Sequence, residues 1–117
     1  VQSISGEEPF AEDLPLDALE SQIQRLAEKT WAATTRTERV GRTVVLKLKT
    51  ADFRILTRSL TPDMPPRSAQ ELATIASALR HRVELPATTR YRLVGVGLSG
   101  FREREELPGQ RELFSVA

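Results

Sequence analysis

The sequence predicts an α+β domain with the element order β-α-β-β-α-β, a four-stranded, mainly antiparallel sheet with two helices packed on one face. Three observations lead there. Two stretches place apolar residues at three- and four-residue spacing, the mark of a helix with one buried stripe. Two others alternate apolar and polar residues with period two, as half-buried strands do. Glycine- and proline-rich breaks punctuate them at the right intervals.

The first element, VQSIS over residues 1–5, reads as a short strand broken by Gly6 and Pro9 before Phe10. From Pro15 the period changes. Leu16, Leu19, Ile23, Leu26 and Thr30 share one helical face, with Glu20, Gln24, Arg25 and Glu28 opposite, and the helix runs to about Ala33. Asp13 suits its N-cap, Pro15 its first turn, and Asp17 and Glu20 the positive end of its dipole. Trp31 falls near the end of this helix as a core or core-edge side chain.

A polar linker, TTRTERVG, leads to a strand over Arg42–Thr50. Val44, Leu46 and Leu48 point inward; Thr43, Val45, Lys47 and Lys49 point outward. Ala51–Asp52 makes a tight turn, and the next strand runs from Phe53 to Thr61 until TPDMPP stops it. Ser68 and Glu71 form a capping box. Leu72, Ile75, Ala76 and Leu79 follow as the stripe of a second helix ending near Val83. His81, flanked by arginines, reads as a solvated surface imidazole. The last strand spans 90–101, with Val94, Val96 and Leu98 on one side and Leu93, Gly95, Gly97 and Ser99 on the other.

At 117 residues the chain has the size of one domain. It contains no cysteine, which removes disulfides and thiolate metal sites and agrees with a reducing, cytosolic setting. No apolar run approaches the ~18 residues of a membrane helix, and no signal-peptide pattern opens the chain, so no membrane partner is expected. The first residue is Val1 rather than Met, as in a piece of a longer protein.

The formal net charge of +1 conceals an asymmetry. Residues 36–92 carry 12 Lys/Arg against 5 Asp/Glu, a balance of +7, whereas the remainder carries 5 against 11, a balance of −6. A basic middle between acidic ends suits a face that binds a polyanion, nucleic acid being the usual one. A solvated mixed-charge surface is the other reading.

Catalytic signatures are missing. No histidine partners the serines, so a Ser-His-Asp arrangement is ruled out. Gly95-Val96-Gly97 is followed by neither a third spaced glycine nor a G-K-[ST]. The acidic pairs Glu7–Glu8 and Glu12–Asp13 are assigned to a turn and a helix start. Phosphate binding fits better. Lys47, Lys49, Arg58, Arg90 and Arg92 supply charge; Thr43, Thr57, Ser59, Thr61 and Ser99 supply hydroxyls. Gly95 and Gly97 on the open face let a phosphate approach the backbone, or alternatively serve tight sheet packing. Aromatic residues are scarce, which favours duplex sugar-phosphate over stacked single strands.

Taken together, SIS, the helix ending in Trp31, VGRTVVLKLKTADF, RILTRSLT and RLVGVGLSGF resemble the C-terminal little-finger domain of Y-family DNA polymerases, bacterial DNA polymerase IV type. The likeness runs in order over nearly the whole chain. It implies a domain, residues 1–101, that grips the duplex template-primer backbone beside the catalytic core of its own polymerase. That parent would be an error-prone translesion DNA-directed DNA polymerase, with catalytic carboxylates and Mg²⁺ in residues absent here. This chain would hold no catalytic residue and no metal or cofactor of its own. Carried over by position, the implied DNA contacts are Thr43, Lys47, Thr57, Arg58, Ser59, Thr61, Arg92, Gly95 and Ser99, with Lys49 beside them. The chain departs from the pattern on its last strand. Leu93, Gly97 and Gly100 stand where some relatives are basic, which implies a weaker grip on one DNA strand. The first strand also lacks the basic residue that often precedes S-I/V.

The tail, residues 102–117, reads as polar and flexible. Within it Gln110-Arg111-Glu112-Leu113-Phe114 resembles the Q-x-x-L-F peptide by which bacterial polymerases hold the sliding clamp. Leu113 and Phe114 would fill an apolar cleft and Gln110 would bond at its rim, a small hot spot on a tether. The alternative function is a protein-interaction module without direct DNA contact.

Overall fold

Alternation and helical periodicity resolve into six elements in the computed structural model, which describes residues 3–36 and 40–101. Strand β1 spans Ser3–Pro15, helix α1 Glu20–Thr34, β2 Thr43–Thr50, β3 Ile55–Leu60, α2 Ala69–Ala78 and β4 Arg90–Ser99. The order is the β-α-β-β-α-β expected. The strands form one sheet ordered β1-β4-β2-β3, with every neighbouring pair antiparallel.

One face of this sheet meets both helices. Val44, Leu46 and Leu48 from β2 and Val94, Val96 and Leu98 from β4 are all buried. They pack against Leu19, Ile23, Leu26 and Ala27 from the α1 side and Leu72, Ala73, Ala76 and Leu79 from the α2 side. Each fully buried Leu or Val contributes roughly 1.5–3 kcal/mol by leaving water. Trp31 packs against this core while half exposed. One polar contact threads it: Thr30, buried on α1, donates its hydroxyl to the Val96 carbonyl at 3.2 Å.

The N-terminal third departs from expectation. Gly6 and Pro9 do not break β1, which is an edge strand, the place in a sheet where proline is tolerated. The strand continues to Pro15 through an irregularity between Pro9 and Leu14. Glu7 and Glu8 therefore sit in a strand rather than a turn, and Asp13 is no N-cap. Helix α1 begins later, after a 3₁₀ turn at Leu16–Ala18, and its N-cap Leu19 makes no side-chain cap bond.

The other boundaries shift less. The capping box at α2 is half formed: the Ser68 hydroxyl accepts from Glu71 N–H at 3.1 Å, but Glu71 reaches back to the Arg67 N–H. Helix α2 ends at Ala78 and gives way to a 3₁₀ turn, Leu79–Arg82. Phe53 belongs to the β2–β3 turn rather than to β3, and it adopts a left-handed φ of 70°. Gly100, with φ 64°, ends β4 before the expected Phe101. Part of the linker and the whole tail, with Gln110, Leu113 and Phe114, lie outside the described residues.

The β2–β3 turn is locked by Thr50. Its hydroxyl accepts from Arg54 N–H at 2.9 Å and donates to the Asp52 carboxylate, which Arg54 also pairs at 3.1 Å. The Thr50 hydrogen bond, then Arg54, lowers the Asp52 carboxyl below its ordinary value of 3.8. Its contribution to stability is therefore present above that value and lost as pH falls through the lower folded one. An NMR pH titration should place the Asp52 midpoint below 3.8, and Thr50→Val should raise it. In the core, Leu46→Ala should cost about 2–5 kcal/mol, read as a lower urea midpoint at unchanged slope.

Candidate nucleic-acid interface

The face of the sheet away from the helices can be read row by row from the strand register. The first row is Ser3, Ser99 and Thr43, extended by Thr61, whose hydroxyl lies 2.7 Å from that of Thr43. The second is Ser5, Gly97, Val45 and Ser59. The third is Glu7, Gly95, Lys47 and Thr57, and the fourth is Pro9, Leu93, Lys49 and Ile55. Lys47 and Lys49 thus point to the same side, as alternation along β2 requires.

A trough of about 270 Å³ runs along β4 on this face, floored by Gly95 and Gly97 and walled by Ser3, Ser5 and Glu7 on one side and Val45, Lys47 and Thr57 on the other. The geometry leaves little room for a side chain at position 97 and a tight fit at 95. A Cβ at position 97 would stand 2.9 Å from the Ser5 Cβ, and one at 95 would stand 3.1 Å from the Glu7 Cγ. Both are buried by their neighbours although no helix covers them. Tight sheet packing therefore accounts for the glycines, and the groove is its by-product.

Of the residues singled out from the sequence, Thr43, Lys47, Lys49, Thr57, Ser59, Thr61, Gly95 and Ser99 come together on this face. Arg58 does not. It alternates with Thr57 and Ser59, so it stands opposite Leu46 and turns towards the helix side, where its Nε donates to the Arg82 carbonyl at 3.2 Å. Arg92 is the extra residue of a bulge between the Leu93–Lys49 and Tyr91–Thr50 pairs. The bulge turns Tyr91 into the core, where burial raises its phenol above the ordinary value. The Arg92 guanidinium lies 4.1 Å from the centroid of the Phe53 ring, a cation–π contact at the hairpin end of the sheet.

Sequence reasoning missed the β1 wall. Ser3, Ser5 and Glu7 alternate in the sequence, and that period was the available signal, obscured by Pro9. The consequence is electrostatic. The expected separation of acidic ends from a basic middle does not hold in space: the Glu7 carboxylate reaches the Lys47 ammonium at 2.6 Å. Lys49 has no ion-pair partner among the described residues. At the hairpin end Phe53 and Ile55 are 63% and 59% exposed.

Comparison with known proteins places this surface in context. The family model for the impB/mucB/samB family C-terminal domain matches residues 1–113. DNA polymerase IV of Xanthomonas oryzae pv. oryzae (strain MAFF 311018) is 69% identical over 114 residues, covering 97% of this chain and 32% of that protein. The chain thus spans about a third of the length of the curated relatives it matches. Among solved structures, an insertion ternary complex of Dbh DNA polymerase aligns at TM-score 0.72 and 10% identity, over 88% of this chain and 29% of that one. A complex of β-clamp processivity factor and the little finger domain of PolIV aligns at TM-score 0.63 and 24% identity, over 84% of this chain and 87% of that one. Sequence and fold agree: the chain belongs to the impB/mucB/samB C-terminal domain family, and its fold is that of the polymerase structures it aligns with.

Proposed function

We propose that this domain grips the backbone of template-primer duplex for a translesion DNA-directed DNA polymerase and tethers that enzyme to the sliding clamp. The observation that carries the first half is the open sheet face, where Lys47 and Lys49 stand with Thr43, Thr57, Ser59, Thr61 and Ser99 on one side of the strands. Ammonium groups and small hydroxyls suit phosphate oxygens and carry no base information, so binding is insensitive to sequence. The trough over Gly95 and Gly97 offers a phosphate a path to the floor of the sheet. Arg92, held over Phe53, extends the charge to the hairpin end. Arg58 is left out of this contact set because it bonds on the other side.

The catalytic core, and the Mg²⁺ its nucleotidyl-transfer chemistry calls for, are assigned to the parent enzyme. Among the described residues no group of three or more His, Cys, Asp or Glu is placed to hold a metal ion. The clamp tether rests on Gln110, Leu113 and Phe114, with a relative's little finger domain solved on a β-clamp as support. A second reading, docking of a protein on this face without DNA contact, draws on the exposure of Phe53 and Ile55.

Titration of the 117-residue chain with labelled duplex separates the readings. Binding should weaken steeply with salt and vary little with sequence. Lys49→Ala should lower the salt slope by about 1 and weaken all duplexes alike. Affinity independent of salt would favour the protein-docking reading. Deleting residues 110–117 should abolish capture by immobilised clamp and leave duplex affinity unchanged; retained capture would remove the tether from the proposal.

A further inference from the structure

The bridge between Glu7 and Lys47 spans two strands that are not neighbours. β1 and β2 flank β4 on either side, so their backbones stand roughly 9.6 Å apart, twice the ordinary strand spacing. Side chains at that separation meet only by leaning over the residue between them, and that residue is Gly95. A Cβ there would crowd the Glu7 Cγ at 3.1 Å and lie in ordinary contact with the Lys47 Cβ at 3.5 Å. The missing side chain therefore lets the carboxylate cross the trough and reach the ammonium at 2.6 Å. Glu8, the next residue, turns the other way and pairs with Arg25 of α1.

We infer that Glu7 is a built-in competitor of DNA phosphate for Lys47, a carboxylate that limits how tightly this face holds a duplex. The inference rests on the duplex-binding reading and deepens it. In the unbound domain the Glu7 carboxylate occupies the place at Lys47 that a phosphate oxygen would take. Both side chains remain accessible, 43% for Glu7 and 38% for Lys47, and exposed ion pairs of this kind add little to stability. The bridge is thus readily given up. A phosphate that enters the trough replaces one anion with another and meets the displaced carboxylate nearby. Lys47 consequently contributes less net attraction than Lys49, and removing the carboxylate should convert it into a full contact.

The test uses the 117-residue chain, a labelled random-sequence DNA duplex and anisotropy across a salt series. Glu7→Gln should bind roughly three- to tenfold more tightly at low salt, with a slope steeper by up to about 1. Glu8→Gln changes net charge equally but on the helix side, and should change affinity less than about twofold. In a Lys47→Ala background the gain from Glu7→Gln should largely disappear, as coupling within the pair demands. Equal gains from the two glutamine variants, or a gain that survives loss of Lys47, would overturn the competitor role. Absence of salt-sensitive duplex binding by the wild type would overturn the functional reading instead. Inorganic tripolyphosphate then decides the competitor role: NMR shifts at the Lys47 side chain should be larger in Glu7→Gln than in wild type, and equal shifts would overturn it.

Discussion

Strand β4 carries two demands at once, and the rest of the molecule is arranged around them. Its even-numbered residues Val94, Val96 and Leu98 enter the core beneath both helices, while Gly95 and Gly97 face away. Because side chains alternate strictly along a strand, neither set can change without moving the other. Between β1 and β2 there is room on the outer side for backbone and little more, as the 2.9 Å approach of a Cβ at position 97 to Ser5 makes plain. The helix layer fixes the sheet, the sheet fixes the alternation, and the alternation creates a bare, grooved surface with lysines along its β2 side. An internal slip of one residue in β4 would bury glycines in the core and expose three aliphatic side chains.

The surface is less simply basic than its composition suggests. β1 contributes an acidic wall that faces β2 across the glycine floor, so opposite charges share the trough. Towards the hairpin, Lys49, Arg92, Phe53 and Ile55 combine positive charge with exposed apolar area. On the proposed reading, a duplex backbone along such a face would meet hydroxyls at one end, Lys47 paired with Glu7 in the middle, and beyond it Lys49, which has no ion-pair partner among the described residues. On that reading, contacts of this kind would hold a duplex backbone without reading bases.

Most of the architecture was legible because it depends on local periods. Val44, Leu46 and Leu48 against Lys47 and Lys49 announce both the strand and its two faces, and Leu19, Ile23 and Leu26 announce the helix above them. The family likeness followed from the same stretches. What escaped depends on position in the finished sheet. Pro9 stops a central strand but not an edge one, and nothing local to SISGEEPF says that β1 is an edge. Arg58 looked like part of a basic set until alternation placed it with Leu46. The bulge at Arg92 inverts the pattern for Tyr91 alone, and the Glu7–Lys47 pair joins residues forty positions apart over a third strand.

The central claim is that the uncovered sheet face, rather than the helix layer, receives the duplex. Mapping amide shifts by NMR as unlabelled duplex is added to the isotopically labelled chain tests it most directly. The account predicts perturbations concentrated at Thr43, Lys47, Lys49, Thr57, Gly95, Gly97 and Ser99, with α1 and α2 undisturbed on their outer faces. Shifts confined to the helices, or to the Arg80–Arg82 turn, would contradict it.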